Sequence, residues 1–533
     1  MSVLGNLTVA AGFLADAYDL FVINIVVLLL RACYGESHAG EAAVATAALA
    51  GAVIGQLVFG ALADRIGRRT GFIVTLSLVA VGGVLSGLVW APAPSQNNAD
   101  SDEDSGPTSS SGSSGFWALL ATTRFILGMG VGGEYPLSAT ISVEQSAAAQ
   151  RGKRTAAVFA MQGVGMIAAP VLALVILAVM PSSTAGMEWT WRLLLLAGAL
   201  PALAMLPARC RMPETQRFAS ASGQHSWTST MQTVRTHWRA VLVASVSWFL
   251  FDIAFYANGL FSATVLESTI PSDDAAGTDA AAGIARIQSI VALDIGLVAM
   301  GLPGYVAAVA LVDRIGRKVL QGAGFVAMTA VYVLVGMLAH SATLPNGVFI
   351  VLYGLSFMVA QAPNTTTFIV PGELVPTSVR ATVHGLAAAT GKLGAVVGGA
   401  ALKPVLAWGG IPAVMFVCAA VCALGAVLTW RYLPDMTARS LDEVEGTQAM
   451  HGMAALQAQP QTGQVGLAAG AGATAGMPHG LELGPVTDAH QEVHHETAKL
   501  ISAAPALHPE AAHEQIVVQQ LEQTSIAART ASQ

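Results

Sequence analysis

GALADRIGRR, residues 60–69, returns later in the same chain as VALVDRIGRK, residues 309–318. One polar string with the same D-R-x-G-R core at two places points to an internal duplication. Outward from each copy the chain is apolar for long stretches. Runs of spanning length lie at roughly 9–30, 42–62, 71–91, 116–141, 154–179, 190–208, 240–264, 288–311, 319–339, 346–370, 382–405 and 411–430. Each far exceeds the 9 to 11 residues of a membrane strand, so they predict helices rather than a barrel. The first string follows the second run and its echo follows the eighth, six runs apart. Glu144 and Arg151, seven apart after the fourth run, are echoed by Glu373 and Arg380 after the tenth. The expected fold is an all-α membrane protein with twelve transmembrane helices in two six-helix, pseudo-symmetric halves. Halves of this kind rock about a midplane site.

Composition agrees. Of 533 residues, 54% are hydrophobic and 11% charged, where soluble domains carry about 25% charged. Mean hydropathy is +0.61. A formal charge of −7 with 25 Lys and Arg excludes a nucleic-acid binder, and the absence of a P-loop string argues against ATP-driven chemistry. The four cysteines, Cys33, Cys210, Cys418 and Cys422, form no C-x-x-C pair and read as small apolar residues. The first run is too long for a signal-peptide core and is expected to serve as the targeting element itself.

Loop charge sets the expected orientation. Arg65, Arg68, Arg69, Arg151, Lys153, Arg154, five arginines of the central linker (Arg209, Arg211, Arg217, Arg235, Arg239), Arg314, Arg317, Lys318, Arg380, Arg431 and Arg439 fall on one side. Only Arg31, Arg192, Arg286 and Lys403 fall on the other, 17 against 4. Both termini and the linker are therefore expected in the cytoplasm, in a multi-pass protein of the plasma membrane. The domain reading is a first half at 1–208 with a flexible external loop at 92–115, a cytoplasmic linker at 209–239, a second half at 240–432, and a mostly disordered tail at 433–533. Residues 265–285 read as a milder external loop. His490, His494 and His495 read as solvated tail residues, not metal ligands, and no cofactor is expected.

The duplicated loops, the two halves and PETQR (213–217) resemble the major facilitator superfamily. Within it, GGEYPLSATISVE (132–144) is similar to the fourth-helix signature of the phosphate:proton symporters of fungi, plants and protists, normally GGDYPLSA. GFLADAYDLFVIN (12–24), WFLFDIAFY (248–256) and PNTTTFIVPGELVPTSVR (363–380) match the first, seventh and tenth helices of that family. The resemblance covers roughly residues 1–440 apart from the two external loops. In it, the clasp residues Asp64, Arg65, Arg68, Arg69, Glu144 and Arg151, with their echoes Asp313, Arg314, Arg317, Glu373 and Arg380, gate the cytoplasmic face and must part as the halves tilt.

Ionisable residues at membrane depth cost about 2.5 to 3.5 kcal/mol or more and are functional candidates. Here they are Asp16, Asp19, Arg124, Glu134, Asp252, Asp294 and Lys392. Asp16 and Asp19 are three apart and can share the cavity face. Trp248, Asp252 and Tyr256 recur at i, i+4 and i+8 on one helix face. The resemblance and this census together assign Tyr135, Gln162, Trp248, Asp252, Tyr256, Asn364 and Lys392 to the substrate, Lys392 as the counter-charge. They assign Asp19, Glu134, Asp252 and Asp16 to the protons. Glu134 stands where the family has aspartate. Asn364 lies in AQAPN (360–364), where the family has an asparagine four residues earlier, and Gln361 either replaces that donor or does not. Arg124 and Asp294 are left without a part. A protonated Asp252 can donate to a phosphate oxygen and an ionised one repels it, which couples the two occupancies directly.

The function implied is proton-coupled symport of inorganic phosphate by alternating access, with no bond made or broken. Two alternatives stand beside it. One is a proton-coupled carrier of another small organic anion or a sugar. The other is a phosphate-sensing transceptor signalling through the tail.

Overall fold

Buried in lipid, a backbone has no water to bond to, so each apolar run must satisfy its own N–H and C=O groups as a helix. The computed structural model describes residues 3–35, 37–92, 110–221, 227–260, 262–267, 280–339, 345–436, 441 and 443. All lie in one unit, Met1–Gln459. Among the described residues, twelve helices are long and apolar enough to cross a membrane. The first six are α1 (Leu7–Tyr34), α2 (His38–Ile66), α3 (Arg68–Leu88), α4 (Ser114–Glu144), α5 (Ala148–Val179) and α6 (Thr184–Cys210). The second six are α7 (Trp238–Gly259), α8 (Gly283–Leu311), α9 (Arg317–Leu338), α10 (Asn346–Glu373), α11 (Thr377–Leu402) and α12 (Pro404–Tyr432).

The two D-R-x-G-R strings form the turns after α2 and α8. Their glycines carry the reversal: Gly67 has φ 99° and Gly316 has φ 85°, a left-handed backbone that side chains disfavour. Helix α8 is interrupted at Met300, three residues before Pro303, which has no N–H to donate. Within α12, six residues after its start, the helical run turns at Gly410, φ 65°.

In the first half α1 packs against α5 and α6, and α4 lies beside α2 and α3. In the second half α7 runs beside α11, where Trp248, Phe249 and Ile253 sit against Gly391, Gly394 and Gly398. The halves meet where α2 touches α11 and α5 touches α8. At the first contact a Cβ on Gly60 would lie 2.8 Å from the Ala381 carbonyl and 3.1 Å from the Gly385 Cα, so the backbones touch directly. The flanks expose large apolar residues such as Leu88, Val175, Val179, Val306 and Val427. Apolar exposure on that scale suits hydrocarbon rather than water.

Three sequence boundaries shift. The helix leading into α4 starts at Ser110, so 110–115 of the expected 92–115 loop are helical; residues 93–109 lie outside the described residues. The 265–285 stretch begins inside a short helix, Ser262–Glu267, and ends inside a helix that starts at Ala280. The 209–239 linker is largely helical. Arg209 and Cys210 end α6, short helices span Gln216–Ala221 and Trp227–Thr236, and α7 starts at Trp238. Thr215 starts the first of these by accepting the Phe218 N–H at 3.4 Å. Of the 433–533 tail, residues 433–436, 441 and 443 are described; His490, His494 and His495 lie outside.

Candidate functional site

One cavity brings together all seven residues named for substrate. Tyr135 comes from α4, Gln162 from α5, Trp248, Asp252 and Tyr256 from α7, Asn364 from α10 and Lys392 from α11; Phe159 and Phe255 complete the wall. The α7 trio reaches one wall because residues four apart stack on one helix face. Lys392 Nζ donates to Asp252 Oδ2 at 3.0 Å, with side chains 3% and 2% exposed. The same ammonium lies 4.7 Å from the Tyr256 ring centroid and 5.2 Å from that of Tyr135, a cation held between two π faces. The Asn364 amide donates to Gln361 Oε1 at 2.9 Å and to the Tyr305 hydroxyl at 3.3 Å, and Gln361 donates to the Phe357 carbonyl at 2.7 Å. Gln361 thus orients Asn364. The Tyr256 hydroxyl and Gln162 Oε1 are buried without a hydrogen-bond partner. A buried cation ringed by phenol, indole and amide donors suits a small oxyanion.

The other acids sit elsewhere. Glu134 precedes Tyr135 but points away from the cavity, into the first half. Both of its oxygens accept from Arg209, the second at 2.6 Å, and the Thr75 hydroxyl donates to Oε1 at 2.6 Å. Arg209 also donates to the Phe72 carbonyl at 3.0 Å and lies 3.5 Å above the Phe72 ring. Asp16 and Asp19 are fully buried, their carboxylates without hydrogen-bond partners. Neither lines the cavity. Asp19 packs on Gly198 of α6, and Arg124 donates to its backbone carbonyl. Asp294 accepts from the Ser262 hydroxyl at 3.5 Å, away from the cavity.

The sequence reading missed Arg209, which was counted among the linker charges. It is 1% exposed. In LPARCRMPET nothing local separates Arg209 from Arg211, so the sequence carries no signal for it.

Where the basic loops gather, the halves are clasped. Arg68 pairs with Asp64 at 3.0 Å and Glu144 at 3.0 Å, and donates to the Thr377 carbonyl of the second half at 2.9 Å. Arg380 crosses from α11 to Glu144 at 3.3 Å. The Thr382 N–H and hydroxyl both donate to Asp64 at 2.8 Å. The second copy repeats the pattern: Arg317 pairs with Asp313 at 2.8 Å and Glu373 at 2.9 Å, while the Lys153 N–H of α5 donates to Asp313 at 2.7 Å. Each motif aspartate therefore caps a helix of the opposite half. Arg65, Arg69 and Arg314 are exposed, with Arg69 donating to the Cys210 carbonyl at 2.5 Å; Arg151 is buried at the start of α5.

Between this clasp and the cavity lies an aromatic floor. Phe13 sits 5.0 Å from Tyr135, 5.5 Å from Phe159 and 5.1 Å from Phe368, and Phe159 stacks on Phe368 at 4.6 Å. On the opposite side a depression walled by α1, α2 and α7 shares Tyr256 with the cavity. Phe21 stacks on Tyr256 at 6.2 Å where the two meet. The clasp closes the basic end, and the Phe21–Tyr256 stack separates the cavity from the depression.

Residues 9–399 match the family model described as Major Facilitator Superfamily. The chain is 33% identical to Probable inorganic phosphate transporter 1-6 of Arabidopsis thaliana, over 82% of this chain and 92% of that protein. It is 34% identical to Probable inorganic phosphate transporter 1-3 of Oryza sativa subsp. japonica, over 81% and 92%. Among solved structures, the proton:xylose symporter XylE bound to 6-bromo-6-deoxy-D-glucose aligns with a TM-score of 0.67 at 20% identity, covering 83% of this chain and 98% of that one. That likeness is one of fold.

Proposed function

Because this chain belongs to the major facilitator superfamily and, within it, to the phosphate:proton symporters, we propose that it carries inorganic phosphate across a membrane together with protons. It is a carrier and not an enzyme. The observation that carries this reading is the Lys392–Asp252 pair inside a cavity otherwise lined by uncharged side chains. With the cavity empty, the aspartate neutralises the ammonium. Phosphate needs that ammonium for itself, and it reaches it at least cost when Asp252 is protonated, donating a hydrogen bond instead of repelling.

Tyr135, Gln162, Trp248, Tyr256 and Asn364 supply the remaining contacts in this reading. Protons ride on Asp252 and on the acid cluster of the first half, which Asp16, Asp19 and Glu134 form. A monovalent anion moving inward alone is opposed by about 2.3 kcal/mol per 100 mV of inside-negative potential. Two or more protons reverse the sign, which gives several acids a purpose. Occupancy then lets the clasp of Asp64, Arg68, Glu144, Arg380 and their echoes part. The basic end faces the cytoplasm, with both termini, and the membrane is the plasma membrane.

Labelled phosphate uptake into proteoliposomes under an imposed proton gradient tests this. Gradient-dependent uptake, competed by phosphate but not by sulfate or glucose, supports the reading. Competition by glucose, or indifference to the gradient, rejects it.

A further inference from the structure

Among the described residues, the membrane interior of the first half holds three carboxylates away from the clasp, Asp16, Asp19 and Glu134, and two guanidiniums, Arg124 and Arg209. Their pairing is unequal. Arg209 takes both oxygens of Glu134, and the Thr75 hydroxyl supports one of them. Arg124 lies at Asp19, bonded to its backbone carbonyl. Asp16 is the acid left over. It is 1% exposed, and neither oxygen has a hydrogen-bond partner.

Asp16 nonetheless adjoins the Glu134–Arg209 pair. A Cβ on Gly12, one helical turn before Asp16 on α1, would collide with Arg209 and come within 3.0 Å of Glu134 Oε2. The charged and titratable groups around Asp16 are Asp19 on its own helix, Glu134 and Tyr135 on α4, and Arg209 on α6. One guanidinium beside two buried carboxylates balances one negative charge, and an unbalanced ion in such a place is strongly disfavoured.

We propose that Arg209 is a positioning residue: by taking both oxygens of Glu134 it leaves Asp16 as the group that carries the first half's proton. This rests on the symport reading above. Arg209 also stands next to Cys210, whose carbonyl receives Arg69, and five residues before Glu214, whose carboxylate accepts the Arg68 and Arg69 N–H groups at 3.1 Å each. The residue that selects the proton site is thus on the segment that ties α6 to the clasp.

Charge balance makes the assignment testable by rescue. In Glu134→Gln the freed Arg209 claims Asp16 as its counter-ion, and Asp16 can no longer take up and release a proton. In Glu134→Gln/Arg209→Gln both charges are gone and Asp16 recovers its proton. Full-length protein in proteoliposomes is assayed for counterflow of labelled phosphate without a gradient, for accumulation under a proton gradient, and for protons moved per phosphate with an internal pH dye. Expected is counterflow in all variants, accumulation lost in Glu134→Gln and restored in the double variant, and a proton-to-phosphate ratio lower by about one in Asp16→Asn. A double variant that exchanges phosphate but accumulates no better than Glu134→Gln overturns the proposal. An unchanged ratio in Asp16→Asn overturns it as well, and that arm decides if the double variant does not exchange. Absence of phosphate counterflow in the unsubstituted protein would defeat the symport reading instead.

Discussion

Replacing Asp252 by asparagine keeps the shape of the wall and removes its charge. In the native cavity Lys392 sits 3.0 Å from Asp252, both almost wholly shielded from water. A phosphate oxygen that takes its own place on the ammonium would lie on the order of 6 Å from the carboxylate charge, where repulsion at an effective dielectric of 20 is about 3 kcal/mol. That is roughly a hundredfold in affinity. Binding to the native protein therefore draws a proton onto Asp252, and by linkage a lower pH strengthens it, approaching tenfold per pH unit while the free protein is ionised at that site. Asp252→Asn needs no such proton. Its affinity should equal the native value at the acid end and exceed it by up to roughly a hundredfold at the alkaline end. Phosphate's own titration acts on both proteins alike and drops out of the comparison. The assay is equilibrium binding of labelled phosphate to purified protein across pH, beside accumulation under a proton gradient, which the variant should fail. Parallel pH profiles for the two proteins, or full accumulation by the asparagine variant, would refute the reasoning.

Lys392→Ala removes the one cation that the described residues place in the cavity wall and should weaken phosphate binding by roughly tenfold or more, measured as a shift in binding affinity; unchanged affinity would leave the ammonium as a partner of Asp252 alone. Glu144→Gln removes the carboxylate that Arg68 and Arg380 share while Arg68 keeps Asp64, and costs the clasped state at most about 3 to 5 kcal/mol. A cysteine placed at the buried Ser142, in a Cys210→Ser background, should then react faster with an impermeant thiol reagent added at the basic end; an unchanged rate would remove Glu144 from the gate. A reporter fused at the carboxy terminus should report the cytoplasm, and its recovery outside the cell would invert the topology.

Helices were legible in the sequence because hydropathy is a local property and a lipid-embedded backbone has one economical solution. The two D-R-x-G-R strings exposed the duplication for the same reason, each forming its turn from adjacent residues around a left-handed glycine. The cavity wall was legible as far as the motifs extend: the four-residue spacing of Trp248, Asp252 and Tyr256 already places them on one face. Charge partners were not legible. Glu144 and Arg151 showed only a spacing shared with Glu373 and Arg380, and the structure gives Glu144 to Arg380, 236 positions away and in the other half. Arg209 read as one more loop arginine, yet it is the counter-ion of Glu134, 75 positions earlier. Asp16 and Asp19 look alike along α1, and only the packing of α4 and α6 gives Arg209 to Glu134, brings Arg124 to Asp19 and leaves Asp16 over. A buried charge must be balanced by whatever charge the fold brings to it, and which one arrives depends on helices that meet in space rather than in sequence.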